Sequence, residues 1–385
     1  MNVLALNAGS SSLKYRLFRV SDGVEEALHE GEAERLDGPM FPDAAGKAIE
    51  ECRHYGVSAV GHRFVHGGAD FHEPVVVTDG VRERLRGLAE IDPLHNPTEM
   101  AVMEETRRAL PDAPVVAVFD TAFHHTLPEA AYRYALPWEL SDRLGLRRYG
   151  FHGISHRYAS ERLFTLLGRE AHGTKIVTCH LGSGASLCAI RDGESVDTSM
   201  GMTPLEGLVM GTRSGDIDPG LLLHLLRTQG MTAEALDDLL NRKSGLLGLS
   251  GRSADVRDLE AAAGDARVAL ALEIFVDRVR KYLGAYAVVL GGLDAIVFTG
   301  GVGEHSAPIR ARICRGLEFL GVALDESLNQ QVGHEPARIS AGHSPLDIAG
   351  QNHTLAGQGG QVEIWTIPAD EERQIAREVA ALLQK

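Results

Sequence analysis

The sequence predicts an α/β protein made of two similar domains. The first reason is length, because 385 residues exceed what one hydrophobic core usually organises. The second is an internal similarity between residues 3–18 and 176–190. Each stretch contains an apolar run, a polar residue, a Gly-Ser turn and a returning apolar strand. We therefore expect an internal duplication, with two domains that face each other across a ligand-binding cleft.

Composition and charge limit the possible classes of function. The formal net charge of −15 argues against non-specific binding to nucleic acid or to an acidic membrane, although a local basic site would still admit anionic small molecules. The four cysteines lack C-x-x-C spacing, which predicts free buried thiols. The N-terminus enters a strand directly, and the most apolar long stretch, 282–298, is interrupted by Gly291, Gly292 and Asp294. We expect no signal peptide, no membrane span and a cytoplasmic protein.

The stretch from Cys179 to Gly220 has the residue types that recognise phosphate or carboxylate. An apolar strand, 176–179, is followed by His180 and by the Gly-Ser-Gly turn 182–184. Glycines at a strand end let backbone N–H groups approach an anion closely. Arg213 follows among small residues, in MGTRSGD, where a guanidinium suits bidentate contact with an anion. A tight hairpin without a ligand is the alternative interpretation of the turn.

Two other polar side chains follow apolar strands. Arg63 comes shortly after the run 58–61, and Asp120 comes directly after 115–119. The carboxyl ends of central strands are where open α/β sheets place ligand-binding groups. A surface ion pair is the alternative for Arg63, and a turn cap is the alternative for Asp120.

The segment RRYGFHGISHRY, 147–158, is too polar for a core and too aromatic for an ordinary loop. His152 and His156 are spaced i, i+4, which permits a zinc pair, contacts to an anion or a structural role. No third ligand motif accompanies them.

Residues 268–290 have the periodicity of a long amphipathic helix that ends at Gly291. A strand, 295–298, a glycine-rich loop, 299–305, and a helix opened by Ser306 and Pro308 are predicted next. This order suits nucleotide binding, although it matches neither a P-loop nor a G-x-G-x-x-G fingerprint. The tail 367–385 is predicted to be a helix with an acidic first turn. For Glu371, stabilisation of the helix dipole is therefore the alternative to a functional role.

Taken together, these motifs resemble the acetate kinase family of the actin-like ATPase superfamily. The matching motifs occur in the family's order and run essentially end to end: NAGSSSLKY, GHRFVHGG, PLHNP, FDTAFHHTLP, YGFHGISH, HLGSGAS, MGTRSGDIDPG, FTGGVGEHS and the final DEE. The resemblance implies two duplicated actin-like (ribonuclease H-like) domains with mixed central sheets flanked by helices, and an active site in the interdomain cleft. It places an acetate and metal domain at 1–147 plus 370–385, and a nucleotide-binding and dimerisation domain at 148–369.

The resemblance also implies a reversible reaction in which ATP phosphorylates acetate to give acetyl phosphate and ADP. The expected cofactor is Mg²⁺, with Mn²⁺ as a possible substitute, and the expected assembly is a homodimer. Phosphoryl transfer needs aligned oxygens and cations that neutralise charge, rather than covalent catalysis by the protein.

Roles follow residue by residue from the resemblance. Five catalytic residues are implied: Asp120, Arg63, Arg213, His152 and His180. Arg63 and Arg213 would act on the acetate carboxylate and the phosphoryl group, His152 on the transition state, and Asp120 on acetate or a metal-bound water. A small acyl pocket would be lined by Arg63, Val65, Leu94, Phe151 and Pro204. Phosphate contacts would come from Asn7, Ser10, Ser12 and Lys14, and metal contacts from Asn7 and Glu371. Nucleotide contacts would come from Lys14, His180, Leu181, Gly182, Ser183, Gly184, Asp255, Val256, Arg257, Gly301, Val302, Gly303, Glu304 and His305.

Three positions depart from the usual family pattern. Ser183 stands where the phosphate turn usually has asparagine, His305 stands where asparagine is common, and Asp370 stands before Glu371 in place of asparagine. The expected effects concern nucleotide or metal preference, and Asp370 is expected to add charge beside the metal site.

Three other functions compete with acetate phosphorylation. A propionate or butyrate kinase would differ only in the volume of the acyl pocket, and Val65 favours the smaller acid. A non-catalytic actin-like scaffold would not need two arginines beside a small pocket. A sugar kinase would need a polyol site, which the candidate residues do not offer.

Overall fold

The computed structural model describes residues 1–9, 11–21, 23–93, 95–342 and 361–385. The strands are β1 (Asn2–Ala8), β2 (Ser12–Ser21), β3 (Val24–Glu34), β4 (Ala59–Phe64), β5 (Val75–Val76), β6 (Val115–Phe119), β7 (Lys175–Leu181), β8 (Ala185–Arg191), β9 (Glu194–Thr198), β10 (Ala295–Thr299), β11 (Ala337–Arg338) and β12 (Glu363–Thr366). The helices are α1 (Phe41–Cys52), α2 (Asp79–Gly87), α3 (Asn96–Ala109), α4 (Glu129–Tyr132), α5 (Trp138–Leu144), α6 (Gly153–Leu167), α7 (Pro219–Thr228), α8 (Ala233–Arg242), α9 (Gly245–Ser250), α10 (Val256–Ala261), α11 (Ala266–Leu290), α12 (Gly300–His305), α13 (Ala307–Cys314), α14 (Glu326–Gln330) and α15 (Glu371–Leu383).

The strands form two mixed sheets with the same topology. The first has the order β3-β2-β1-β4-β6-β5, and the second, written from its opposite edge, has the order β9-β8-β7-β10-β12-β11. In each sheet the first three strands are antiparallel, the next two join in parallel, and the last edge strand is antiparallel. The predicted α/β fold of two duplicated, mixed sheets is therefore confirmed.

Strand β1 shows why the central strands are apolar throughout. Val3 and Ala5 pack on one face of the first sheet against Ile375 of α15, whereas Leu4 packs on the other face against Ile49 of α1. Successive side chains of a strand point to opposite faces, so a strand covered on both faces must be apolar at every position.

The chain groups into two compact units. The first contains Met1–His125, Phe151–Tyr158 and Asp370–Lys385, and the second contains Thr126–Gly150 and Ala159–Ala369. This grouping differs from the boundary predicted at residue 147. Residues 126–150 pack with the second unit, and α6 starts in the first unit and continues into the second.

Two predictions around the longest helix have different outcomes. The helix predicted at 268–290 is α11, and Gly291 ends it in the left-handed conformation with φ of 66°. The prediction of a glycine-rich loop at 299–305 is wrong, because 300–305 form the short helix α12. Glycine is a poor helix former, and buried packing overrides that preference here: Gly300 and Gly303 are buried.

The four cysteines are free thiols in the described structure and all are buried, as predicted. Across the described ranges, no helix has the length and apolarity needed to span a membrane.

We predict that Gly61→Ala destabilises the first unit because β4 and α15 are in direct contact there. A Cβ atom at Gly61 would lie 2.5 Å from Ile375 Cγ2 and 2.7 Å from Val379 Cγ2. Overpacking of this kind costs about 1–3 kcal/mol of unfolding free energy. This change is measured by urea-induced unfolding, with circular dichroism as the signal.

The matched control is Gly80→Ala in α2, where no atom lies within 4 Å of the added Cβ. Alanine should raise the unfolding free energy there by about 0.5–1 kcal/mol, because it restricts the unfolded chain. Equal midpoints for the two variants would contradict the packing argument.

Candidate active site

Two parallel strands bring Arg63 and Asp120 together in the first unit. Strands β4 and β6 pair in parallel with Phe64 opposite Phe119, so their carboxyl ends meet at one edge of the sheet. The Asp120 N–H donates to the Phe64 carbonyl at 2.9 Å, which extends the pairing past the last strand residue. Arg63, near the end of β4, and Asp120, just after β6, therefore lie next to each other.

Arg63 and Asp120 form a buried ion pair. Arg63 Nη2 and Nε donate to Asp120 Oδ2 at 2.5 Å and 3.0 Å. The Asp120 side chain is 1% exposed and that of Arg63 is 12% exposed. Burial lowers the pKa of Arg63, but Asp120 and Glu371 more than offset this effect, so the pKa is raised. The guanidinium is thus held cationic in a largely dry position.

Strand β1 and the start of α15 complete this group. Arg63 Nη1 donates to Asn7 Oδ1 at 3.3 Å, and Arg63 Nε lies 4.0 Å from Glu371 Oε2. Asn7 Nδ2 donates to Glu371 Oε2 at 2.9 Å and to Glu372 Oε1 at 2.8 Å. We call Asn7, Arg63, Asp120 and Glu371 the Arg63 cluster. The amide nitrogen of Asn7 faces the carboxylates, whereas its oxygen faces Arg63.

His152 is tied to this cluster through the backbone. The Gly153 N–H donates to the Asp120 carbonyl at 2.9 Å, and a Cβ at Gly153 would lie 2.1 Å from that oxygen, so only glycine fits. His152 has φ of 57°, a strained value for a residue with a side chain. Strain of this kind is retained where the surroundings enforce it, as at functional sites. Phe151 is buried, and His124 Nε2 donates to its carbonyl at 3.1 Å.

The other candidates of the first unit have different surroundings. Val65 is buried just after β4. Ser12 and Lys14 lie on β2, and Lys14 is exposed opposite Asn7. Ser10 and Leu94 lie outside the described residues.

The second unit contains an open cavity of about 420 Å³, within the usual range for small-molecule sites. Its lining comes from the β7–β8 turn, from α10 and the residues before it, and from α12. The lining residues are Gly182, Ser183, Ala254, Asp255, Val256, Arg257, Glu260, Gly301, Val302, His305 and Ser306. Eight of these were predicted nucleotide contacts, and the sequence analysis did not identify Ala254, Glu260 or Ser306.

Other predicted nucleotide contacts in the second unit lie near this cavity but do not line it. His180 and Leu181 end β7, and Gly184 follows the turn, where the Gly182 N–H donates to the Gly184 carbonyl at 2.9 Å. Gly303 is buried within α12, and Glu304 Oε1 accepts the Ala369 N–H at 2.9 Å.

Helix α12 is held at both ends by contacts that constrain the cavity wall. Gly300 has φ of 77°, and a Cβ there would lie 2.8 Å from the Leu181 carbonyl oxygen, so glycine is required. At the other end, Arg310 Nη1 donates to the carbonyls of Gly303 at 2.9 Å and Glu304 at 2.8 Å. Carbonyls at a helix end lack partners within the helix, and Arg310 satisfies two of them.

Arg310 is an unusual buried cation. It is 1% exposed, and its other hydrogen bonds go to Asn329, to Oδ1 at 2.7 Å and to the carbonyl at 2.8 Å. Burial lowers its pKa to about 10. No sequence pattern indicates this role, because an arginine within a helix usually faces solvent.

Arg213 and Pro204 are neighbours in the second unit. Arg213 Nη1 donates to the Pro204 carbonyl at 3.2 Å and lies 3.8 Å from Met210 Sδ. The Gly211 N–H donates to the Ser183 carbonyl at 3.0 Å, which ties the Arg213 loop to the β7–β8 turn. The structure thus brings Arg213, Pro204 and the β7–β8 turn into one region of this unit.

Asp370 does not have the surroundings that the sequence analysis expected. Its carboxylate caps α15 by accepting the Arg373 N–H at 3.1 Å, and it pairs with Arg16 at 3.1 Å and with Arg373 Nε at 2.7 Å. Two arginines therefore offset its charge.

Comparison with known proteins identifies the family of this chain. The model of the acetokinase family matches residues 46–377. The chain is 44% identical over 409 residues to the acetate kinase of Geobacillus kaustophilus (strain HTA426), which covers 99% of this chain and 98% of the relative. The crystal structure of Porphyromonas gingivalis acetate kinase superposes with a TM-score of 0.87 at 38% identity, covering 99% of each chain. A propionate kinase structure from Francisella tularensis subsp. tularensis SCHU S4 gives a TM-score of 0.83 at 35% identity, covering 98% of each chain. This chain belongs to the acetokinase family.

Proposed function

We propose that this protein catalyses reversible transfer of the γ-phosphoryl group of ATP to acetate, giving acetyl phosphate and ADP. The observation that carries this proposal is the similarity over 99% of the chain to a relative named acetate kinase. The Arg63 cluster supports it independently. A buried guanidinium held by oxygen acceptors suits a reaction between two anions.

Residues of the first unit would bind the acid, and Arg213 of the second unit would share in neutralising charge. An acetate oxygen attacks the γ-phosphorus, a new P–O bond forms, and the bond to the β-phosphate oxygen breaks with its electron pair leaving on ADP. The carboxylate nucleophile has no proton to lose, so Asp120 would position Arg63 rather than act as a base. Arg63, His152 and Arg213 would neutralise the charge on the phosphoryl oxygens. Val65 and Phe151, both buried, would bound the methyl group.

The donor set of the Arg63 cluster fits a divalent metal ion. No group of three or more His, Cys, Asp or Glu side chains among the described residues is arranged to hold a metal unaided. Mg²⁺ instead usually binds one or two carboxylates together with substrate phosphates and water. We propose that Glu371 holds Mg²⁺, with Asn7 orienting that carboxylate through its amide N–H. The ion would supply positive charge to the phosphate oxygens when it is bound.

The second unit would bind the nucleotide. The cavity lined by Asp255, Val256, Arg257 and α12 is large enough for a nucleoside, and the adjoining β7–β8 turn offers backbone N–H groups to phosphates. His180, at the end of β7, would contact the phosphates. His305 lines this cavity in place of the usual asparagine, so it would contact the nucleoside directly.

Propionate phosphorylation is the second candidate, supported by the similarity to a propionate kinase structure. One methylene group changes binding in an apolar pocket by only about 1–3 kcal/mol, so both acids would react. We further propose a homodimer, as the family resemblance implies, and a cytoplasmic location.

We predict acyl phosphate formation from ATP, Mg²⁺ and acetate, with less from propionate and little from butyrate, because Val65 leaves a small pocket. The measurement traps the product as its hydroxamate, with the three acids assayed in parallel. Preference for a longer acid would overturn the pocket assignment. No product from any acid would leave a nucleotide-binding protein without this chemistry.

We predict that Arg63→Ala and Arg213→Ala each lower kcat at least about a hundredfold, because each removes a cation from the transition state. Matched controls are Arg84→Ala in the first unit and Arg242→Ala in the second, since both side chains are more than half exposed on the surface. Circular dichroism checks that each variant is folded. Turnover within about tenfold of the wild type would remove the residue from the catalytic set.

We predict that Arg310→Met raises the KM for ATP more than the KM for acetate, because Arg310 holds α12, and α12 lines the nucleotide cavity. Losing a hydrogen bond made by a charged group also costs about 1.5–3 kcal/mol of stability. The measurements are steady-state kinetics with each substrate varied, together with thermal unfolding. Equal changes in both KM values would argue against a role specific to the nucleotide.

A further inference from the structure

A buried carboxyl group lies behind the proposed acyl pocket and was not among the predicted site residues. Glu99 is in the first turn of α3 and is only 2% exposed. Glutamate in the first turn of a helix usually faces solvent and stabilises the helix dipole. Full burial of Glu99 therefore requires another explanation.

Glu99 is bonded to the backbone of the pocket residue Val65. Glu99 Oε1 accepts the Val65 N–H at 2.9 Å, and this hydrogen bond is buried. Val65 has left β4, so its N–H has no partner in the β4–β6 pairing, which ends at Phe64. A buried N–H without an acceptor is strongly unfavourable, so Glu99 fixes where Val65 lies relative to Arg63.

The surroundings of Glu99 favour its neutral form. Burial and the nearby Asp92 raise its pKa well above the usual value of 4.5, whereas Arg63 and the hydrogen bond from the Val65 N–H oppose the shift. Glu99 Oε2 and Asp92 Oδ2 are buried atoms without a hydrogen-bond partner in the described structure. Asp92 Oδ1 lies 3.0 Å from His95 Nδ1. A proton on Glu99 relieves the repulsion between the two carboxyl groups and leaves Oε1 as an acceptor for Val65.

We propose that Glu99 is a positioning residue for the carboxylic acid substrate, which holds Val65 against the acyl group by accepting its backbone N–H. This inference rests on the proposed function, because that function makes Val65 a wall of the acyl pocket.

A neutral Glu99 also suits the charge requirement of the site. Asp120, Glu371 and Glu99 are the carboxyl groups that act on the Arg63 guanidinium. If Glu99 were ionised, it would compete with the anionic substrate for electrostatic attraction to the Arg63 guanidinium. A glutamine at this position keeps the acceptor oxygen and lacks the charge, so it should replace Glu99 at neutral pH.

The test compares four variants with the wild type. Glu99→Gln keeps the acceptor, Glu99→Met removes it at similar volume, and Glu99→Asp withdraws it by one methylene. Glu104→Gln is the matched control on the same helix, where Glu104 forms partly exposed ion pairs with Arg82 and Arg86. Each protein is assayed for acyl phosphate with acetate and ATP varied separately. Hydrogen exchange is followed by mass spectrometry in peptides that cover 62–71.

We expect Glu99→Met and Glu99→Asp to raise the KM for acetate about tenfold or more, with the KM for ATP within about threefold of the wild type. Exchange in 62–71 should be faster in both. Glu99→Gln and Glu104→Gln should match the wild type in both readouts. If Glu99→Met does not fold, Glu99→Asp decides the question with the same two readouts. An unchanged KM for acetate in a folded variant without the acceptor overturns the proposal, and so does a Glu99→Gln variant as impaired as Glu99→Met.

A separate readout tests the neutral state of Glu99. A carboxyl group whose pKa is raised in the folded protein binds more protons there than in the unfolded chain, so stability falls as the pH rises above about 4.5. The glutamine of Glu99→Gln does not titrate. The melting temperature of this variant should therefore rise relative to that of the wild type as the pH increases from about 5 to about 8. A constant difference would contradict a neutral Glu99 and overturn that part of the proposal.

The failure of the proposed function would look different. A wild-type protein that forms no acyl phosphate overturns the proposed function and, with it, the assignment of Glu99 to an acid substrate. The exchange measurement would still establish whether Glu99 holds Val65.

Discussion

The ion pair between Arg63 and Asp120 is the interaction on which the candidate site of the first unit depends. Its position follows from parallel pairing of β4 and β6, which brings two strand ends to the same edge. Placing both charges out of water is costly, and their mutual attraction compensates only when further hydrogen bonds satisfy the remaining polar atoms. Asn7 and the Ala8 carbonyl supply such bonds to Arg63. The pair is therefore better explained by function than by stability.

Close approach of backbone segments determines where the other site residues lie. Gly153 lets the chain before α6 approach the Asp120 carbonyl, and that contact holds His152 at a positive φ. Gly300 does the same in the second unit, where it brings α12 against the end of β7. In both units a glycine at the first position of a helix lacks the Cβ that would otherwise separate two pieces of backbone. The candidate side chains next to these glycines are thus positioned by close backbone contacts.

Buried polar groups outside the predicted site support its geometry. Glu99 is bonded to the N–H of Val65, and Arg310 is bonded to the last carbonyls of α12. Glutamate and arginine are normally charged and are expected on the exposed surface of a helix. Burial raises the pKa of Glu99 and lowers the pKa of Arg310, and both shifts favour the neutral form. Neither has a sequence signal of its own, because periodicity describes apolar residues and says nothing about which polar residue is enclosed.

The sequence by itself determined the duplicated α/β fold, the strand ends that carry Arg63 and Asp120, and the long helix that ends at Gly291. These features depend on local patterns of apolar residues and glycine, which a linear chain displays directly. Only the tertiary structure decided that 300–305 are helical, that Asp370 is paired with arginines, and that Glu99 contacts Val65. Those features depend on contacts between distant segments, and their energies outweigh local preference because burial removes the competing interactions with water.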